Sequence, residues 1–330
     1  MQFKRNLFIF SITVALMTLG QNVSAQLIPV LGSQRAGTAM FQFLKIGVGG
    51  RAVGMGESFV AVANDASALY WNPAGITQTK NNELFIAHVD WPVDIQHEFI
   101  GYTRRFGVNV IGLSAIALHT DDFEETTEFQ PFGTGRFVTF GDISLGVTFA
   151  RQMTDKFSLG ATVKYVDETL DDIHARNVLI DFGTYYWTGF GSSRFAVSVV
   201  NFGTNVEPSG TVVQRDDIEV NAFQDFAPPT VFRVGFATEV VDNEQSRITT
   251  SIQLNHPNDN AENVNIGVEY GWKKMLSLRG GYKVNVEEES YAFGAGLRIP
   301  LNAFELHVDF SYSEFGRLGT ANRFSANLKF

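Results

Sequence analysis

The sequence predicts an all-β membrane protein, a 14-stranded antiparallel transmembrane β-barrel with a small N-terminal hatch of short helices and loops in its lumen. Three observations carry that prediction. Beyond residue 82, apolar and polar residues alternate with a period of two. The turns between the alternating segments are short and long by parity. Both ends of the chain carry the marks of export and barrel assembly.

Residues 1–25 read as a signal peptide. Lys4 and Arg5 supply the positive region, and Leu7 to Leu19 is an uncharged, mostly apolar run of 13 residues. That run is short of the roughly 20 residues a membrane helix needs. Val23-Ser24-Ala25 has the form of a cleavage site, so the mature chain is expected to begin at Gln26. No Cys follows the apolar run, which excludes a lipid anchor, and the whole chain has none. Disulfides, thiolate metal sites and a Cys nucleophile are therefore excluded. Without Lys4 and Arg5 the chain has 23 basic residues against 35 acidic ones, a net charge of −12. Nucleic acid is not expected as a partner, because phosphate binding needs a basic surface. The 30 Phe, 9 Tyr and 31 Gly accompany no apolar run of helical length in the mature chain. Strands of this composition satisfy their backbone in lipid by closing into a barrel.

The expected strands lie near 83–91, 94–106, 108–119, 140–151, 157–168, 177–188, 194–202, 230–240, 246–256, 262–272, 275–285, 290–299, 303–313 and 322–330. Late segments alternate most clearly. Phe304, Leu306, Val308, Phe310 and Tyr312 share one face, and Glu305, His307, Asp309 and Ser311 the other. Phe324, Ala326, Leu328 and Phe330 share a face of the last segment. Its terminal Phe resembles the assembly signal of outer-membrane barrels, carried here by Phe324, Leu328 and Phe330. Turns near 107, 152–156, 189–193, 241–245, 273–274 and 300–302 are short. The alternate set, including 120–139, 169–176, 203–229 and 314–321, is longer. Short periplasmic turns and long outer loops are the outer-membrane pattern, with both termini periplasmic. The long set carries acidic residues: Asp121, Asp122, Glu124, Glu125 and Glu128, Asp171 and Asp172, Asp216, Asp217 and Glu219, and Glu287 to Glu289. They form a solvated, repulsive outer surface, or bridge through divalent cations to lipopolysaccharide or a partner.

Residues 26–82 precede the first strand. The stretch from Phe41 to Gly75 is too apolar for a free tail and suits a plug inside the lumen, with a packed segment at 36–78. Gly47, Gly49, Gly50, Gly54 and Gly56 allow sharp turns close to a wall. Asp65 or Ser67 can cap a short helical turn that Asn72-Pro73 ends. A phosphate-binding loop is not supported, because "GRAVGMG" lacks the Lys-Ser/Thr pair and no βαβ unit follows. Polar residues expected to face the lumen include Arg233, Glu239, Glu269, Arg279, Lys283, Arg298, Glu305, His307, Asp309, Arg323 and Lys329. Both signs are present, so this wall is expected to pair with itself and pack against the hatch.

Gly50-Arg51-Ala52-x-Gly54-Met55-Gly56, followed by "FVAVANDASALYWNPAG" with Asp65 and the run Trp71-Asn72-Pro73-Ala74-Gly75, resembles the N-terminal signature of the PorV/PorQ family. The signature covers residues 36–78, and the barrel resemblance extends to the C-terminus. Glu57 departs from an expected small residue and Asn64 from an expected Asp. The resemblance implies a branch of the FadL-type outer-membrane barrels. It implies a non-enzymatic accessory of type IX protein secretion that binds a translocon or exported cargo. The alternative it leaves open is a FadL-like channel for long-chain fatty acids or other hydrophobic compounds. Expected partners are outer-membrane lipid and lipopolysaccharide and the barrel-assembly machinery. Beyond these stand a type IX translocon with its cargo, or hydrophobic small molecules. The loop 203–229, with Val212, Val213, Phe223, Phe226 and Pro228-Pro229, suits a partner or ligand, or a cap over its own barrel.

No catalytic set emerges. His88, His97, His119, His174, His256 and His307 are scattered, with neither H-E-x-x-H nor G-x-S-x-G present. His119 beside Asp121 and Asp122 imitates part of a rim triad, but a rim His in a polar loop is ordinarily solvated. No cofactor or metal is expected.

Overall fold

The computed structural model describes residues 37–213, 219–286 and 289–330. The signal peptide, its cleavage site, Asp216, Asp217, Glu287 and Glu288 lie outside the described residues.

Fourteen antiparallel strands close into one barrel. In chain order they are β1 (Glu83–Trp91), β2 (Ile95–Phe106), β3 (Asn109–His119), β4 (Phe140–Gln152), β5 (Phe157–Leu170), β6 (Ile173–Trp187) and β7 (Arg194–Phe202). There follow β8 (Val231–Asp242), β9 (Ser246–Pro257), β10 (Asn263–Trp272), β11 (Leu276–Val284), β12 (Tyr291–Pro300), β13 (Glu305–Glu314) and β14 (Thr320–Lys329). The seam pairs β1 with β14, from Glu83 opposite Lys329 to Asp90 opposite Asn322. Among the described residues no helix is long and apolar enough to cross a membrane.

Side-chain alternation sets the two faces. Ile266, Val268, Tyr270 and Trp272 point outward on β10, while Asn265 and Glu269 point inward. On β13, Val308, Phe310 and Tyr312 point out, and Asp309, Ser311 and Ser313 are buried inside. An apolar outer wall over a polar inner one is the arrangement a lipid-facing barrel needs.

The two ends differ as the spacing predicts. One end carries only turns of six residues or fewer, the longest being Thr188–Ser193, and also the C-terminus. The other carries the long connections. Two sequence expectations need correction here. The connection expected at 169–176 is only Asp171-Asp172, because β5 and β6 continue to the pair Leu170 with Ile173 and Asp171 turns with φ 54°. The strands outrun the apolar band, so both faces there are wet and the alternation fades. The turn between β6 and β7 is also slightly longer than expected.

Between β3 and β4 a small ribbon, Phe123–Glu124 with Phe137–Val138, projects from the long-loop end. Arg136 ties its base to Asp171, and its tip carries Phe129 and Phe132, 89% and 98% exposed. The connection from β7 to β8 folds back on the barrel instead. Val206 pairs with Phe226, Ser209 with His174, and Ala227 with Ala39. The described parts of this loop thus lie in part over their own barrel.

Candidate functional site

Residues 37–82 run through the lumen from one end to the other. At the long-loop end Met40 N–H donates to the carbonyl of Ala227 at 3.1 Å, and Phe41 N–H to Glu168 Oε2 at 2.7 Å. Lys45 pairs with Asp259 at 2.9 Å. The chain then descends along β11–β14. The short helix α1 (Gly50–Gly54) packs on β12 and β13, and Gly50 N–H donates to Ser325 Oγ at 3.0 Å. It crosses to β9, where Gln253 Oε1 accepts from Phe59 and Val60 at 2.9 and 2.8 Å. A second short helix, α2 (Ala68–Trp71), leads to Asn72 and the 3₁₀ turn Pro73–Gln78, which lies against β4–β6. The chain reaches β1 at the short-turn end, where Arg105 donates to the carbonyl of Thr79 at 2.7 Å.

The signature residues fall into two seats. Gly50, Ala52, Gly54, Met55 and Gly56 are buried against the wall of β10–β14. A Cβ on wall residue Gly281 would lie 1.9 Å from Gly56 N, so backbone meets backbone there. Trp71, Asn72, Pro73, Ala74 and Gly75 form the second seat and are also buried. Asn72 is its centre. Its Oδ1 accepts from Ala74 N–H at 3.0 Å, and its Nδ2 donates to the carbonyls of Val60 and Thr184, each at 3.1 Å. Trp71 Nε1 donates to the carbonyl of Val48 at 3.1 Å, joining the two seats. Ser67, not Asp65, holds the N-cap position of α2, without a side-chain cap bond.

Arg51 is the charged pivot. It grips Glu269 bidentately, Nε to Oε2 at 2.9 Å and Nη2 to Oε1 at 3.0 Å, and reaches Asp65 at 3.3 Å. Arg279 joins Glu269 at 2.6 Å to Asp309 at 2.7 Å. Burial opposes the charge on Asp65, yet Arg51 and the Ser67 hydrogen bonds hold it below the usual carboxylate range. In the turn between β11 and β12, burial likewise opposes the charge on Glu289, which Lys283 and Arg323 nonetheless keep below that range.

This network roofs a chamber of about 750 Å³ that opens at the short-turn end. Arg298, Glu305 and His307 line it as one group, with His307 Nε2 at 2.5 Å from Glu305 Oε1 and Arg298 bonded to the same carboxylate. On the long-loop side of the hatch lies a narrow crevice of about 10 Å³. Leu44, Leu69, Phe99, Ile116 and Val200 give it apolar walls, and Lys164, Asn201 and Arg233 give it polar ones. Arg233 is 7% exposed and lies 5.9 Å from the ring of Tyr70 and 5.3 Å from that of Trp71. Its Nη1 has no hydrogen-bond partner among the described residues.

The remaining expected site residues are apart from the lumen. Phe324 and Leu328 point outward on β14, where Phe324 packs on Phe310 at 5.0 Å, and Phe330 stacks on Tyr102 at 6.4 Å. His119 does not face Asp121 and Asp122. It contacts Gln96 at 3.1 Å and Glu98 at 3.4 Å on the outer wall, with His88 on the other side of Glu98. The crevice left one trace in the sequence, Tyr70-Trp71 next to the Asn-Pro turn, which places two rings where a cation can lie over them.

Comparison with known proteins bears on the fold. The family described as "Uncharacterised protein family (UPF0164)" matches residues 20–166. No curated protein matches the chain. Among solved structures, the toluene transporter TbuX of Ralstonia pickettii superposes with a TM-score of 0.58 at 13% identity, over 86% of this chain and 97% of that one. The toluene transporter TodX of Pseudomonas putida gives 0.56 at 13% identity, over 84% and 96% of the two chains. The monoaromatic hydrocarbon channel CymD gives 0.57 at 12%, over 86% and 98%. The match spans nearly the whole of each of these proteins, and the barrel fold is shared with them.

Proposed function

We propose that this protein is a non-enzymatic, FadL-like channel of the bacterial outer membrane that takes up long-chain fatty acids or other hydrophobic compounds. The observation that carries the reading is the pairing, in one lumen, of a crevice with apolar and polar walls on the long-loop side with a polar chamber on the other, separated by a seated hatch. The fold shared with three hydrocarbon transporters and channels supports it. In this reading the signal peptide is removed, the short turns face the periplasm and the long connections face outward. Once the crevice, about 10 Å³ in this structure, widens, an entering molecule meets Leu69, Phe99, Ile116 and Val200, and a polar head or ring lies against Arg233. Shifting the hatch connects the crevice to the chamber, where water enters and the molecule leaves.

The reading of a type IX secretion accessory keeps two supports, the hatch signature that resembles PorV/PorQ and the projecting ribbon with Phe129 and Phe132. The comparisons favour the channel. Uptake of labelled oleate and toluene by cells expressing the barrel decides between them. The channel reading expects one of the two to enter several-fold faster than in cells carrying the empty vector. If neither does, and the barrel leaves mild detergent bound to a large outer-membrane translocon or exported cargo, the secretion reading replaces it.

A further inference from the structure

Three segments distant in sequence meet inside the barrel near its long-loop end. Lys283 Nζ, on β11, lies 3.1 Å from Glu57 Oε1 in the hatch and 2.5 Å from Glu289 Oε2 in the turn between β11 and β12. The other oxygen of Glu289 accepts from Arg323 Nη2, on β14, at 3.1 Å. Arg323 donates from Nε to the carbonyl of Gly47 in the hatch at 3.1 Å and from Nη1 to Ser313 Oγ at 2.9 Å. Its guanidinium lies 5.2 Å from the ring of Trp91, which packs on Phe315 at 4.6 Å. Arg323 is 0% exposed, Lys283 6% and Glu289 8%.

Both cations are attached to the barrel wall, and each also holds one end of the hatch segment Gly47–Glu57. Glu289 is shared by the two, and it belongs to neither wall nor hatch but to an outer turn. Among the described residues, removing it would leave Lys283 with Glu57 alone and Arg323 with no carboxylate, and an uncompensated buried charge is far costlier than a paired one. Glu57 is further committed by its backbone, which is left-handed at φ 60°, so the segment has little freedom to re-pair elsewhere.

We propose that Glu289 is a latch through which the outer turn between β11 and β12 holds the hatch shut. Whatever draws this turn outward withdraws the counter-charge of Lys283 and Arg323 and unseats Gly47–Glu57 from the wall. The inference rests on the reading of the lumen as a path, and it adds a control point on the outer surface.

The chain has no Cys, so a single cysteine replacing buried Met55 reports hatch opening without interference. Glu289→Gln should accelerate labelling of that cysteine by a small maleimide about tenfold in the folded barrel, checked by its different migration before and after boiling. Asp181→Asn is the control. It disrupts a buried wall pair, Lys164 with Asp181 at 2.9 Å, that does not involve the hatch, and it should leave the rate unchanged. If Glu289→Gln does not assemble, Glu57→Gln breaks the same chain from the hatch side and should give the same acceleration. An acceleration below about fivefold in the folded variant, or an equal one from Asp181→Asn, overturns the latch. Oleate and toluene uptake in the same variants separates the two readings. Faster labelling with no uptake in any variant keeps the latch and removes the channel, and slow labelling with uptake intact does the reverse.

Discussion

The hatch is held differently on the two sides of the barrel. Against β4–β6 it is held by shape. A Cβ on Gly160 would lie 2.4 Å from the carbonyl carbon of Pro73, and one on Gly183 would lie 2.1 Å from Asn72 Oδ1. Backbone lies on backbone, with Asn72 closing the hydrogen bonds. Against β9–β14 backbone also lies on backbone, as at Gly281 and Gly56, but charge is added to the fit, through Arg51 with Glu269 and Lys283 with Glu57. A steric seat has one position and no intermediate. An ionic seat can be loosened by taking away one partner. The first side is therefore expected to anchor the hatch, and the second, where ion pairs supplement the fit, to be the side that loosens.

The sharpest way to break this comparison is on the steric side. Gly160→Val puts side-chain atoms into the space of Pro73 and Ala74, where neither backbone can yield. We expect a loss of about 3 kcal/mol or more and a large fall in the heat-modifiable folded form, read from gel migration and urea titration. On the ionic side, Arg51→Met leaves Glu269 and Asp65 short of a buried cation, at a cost of about 3 kcal/mol. The double variant Arg51→Met with Glu269→Gln should recover part of that loss, a coupling the urea midpoints would reveal. Asn72→Ala removes one acceptor and two donated bonds at a fully buried site. It should cost about 2 kcal/mol without changing lumen conductance, because the wall glycines still fit the backbone.

The smallest effect is expected from acid. Asp65 titrates below its ordinary range in the folded protein, so its contribution is present above the unfolded pKa of about 3.9 and is lost as pH falls through the lower folded value. Labelling of a cysteine at Trp71, divided at each pH by the labelling rate of a free thiol, should stay flat from neutral pH to about pH 5 and rise below about pH 4. In Asp65→Asn that acid step should be smaller. An identical rise in both would assign it to other carboxylates.

The barrel was legible because lipid imposes a period of two on each strand and the membrane segregates turn length by end. The alternation of β13, Leu306 to Tyr312 against Glu305 to Ser311, is visible by eye. The hatch was legible as a segment that needs a container, and Arg51 and Asn72 stood out within it. Which wall residues receive it was not read, although a signal existed. Gly160, Gly183, Gly281 and Gly294 all stand at inward positions, where a strand without a side chain marks the approach of another backbone. Ion partners were not legible at all. Arg51 and Glu269 are 218 residues apart, and only the closed register brings them together. The unpartnered Nη1 of Arg233 was hidden for the same reason, since an absent partner leaves no pattern in a sequence.

The chain passes through the lumen before it becomes wall, and this bears on how the protein can be made. Glu83, the first residue of β1, accepts at Oε2 from Ala66 N–H of the hatch at 3.1 Å and from Asn327 of β14 at 2.9 Å. One carboxylate thus touches the plug, the first strand and the last strand at once. Zipping β1 onto β14 before the plug is home would leave that carboxylate without one of its donors. An occupied interior therefore favours the final register of the seam, so that contents and closure support each other.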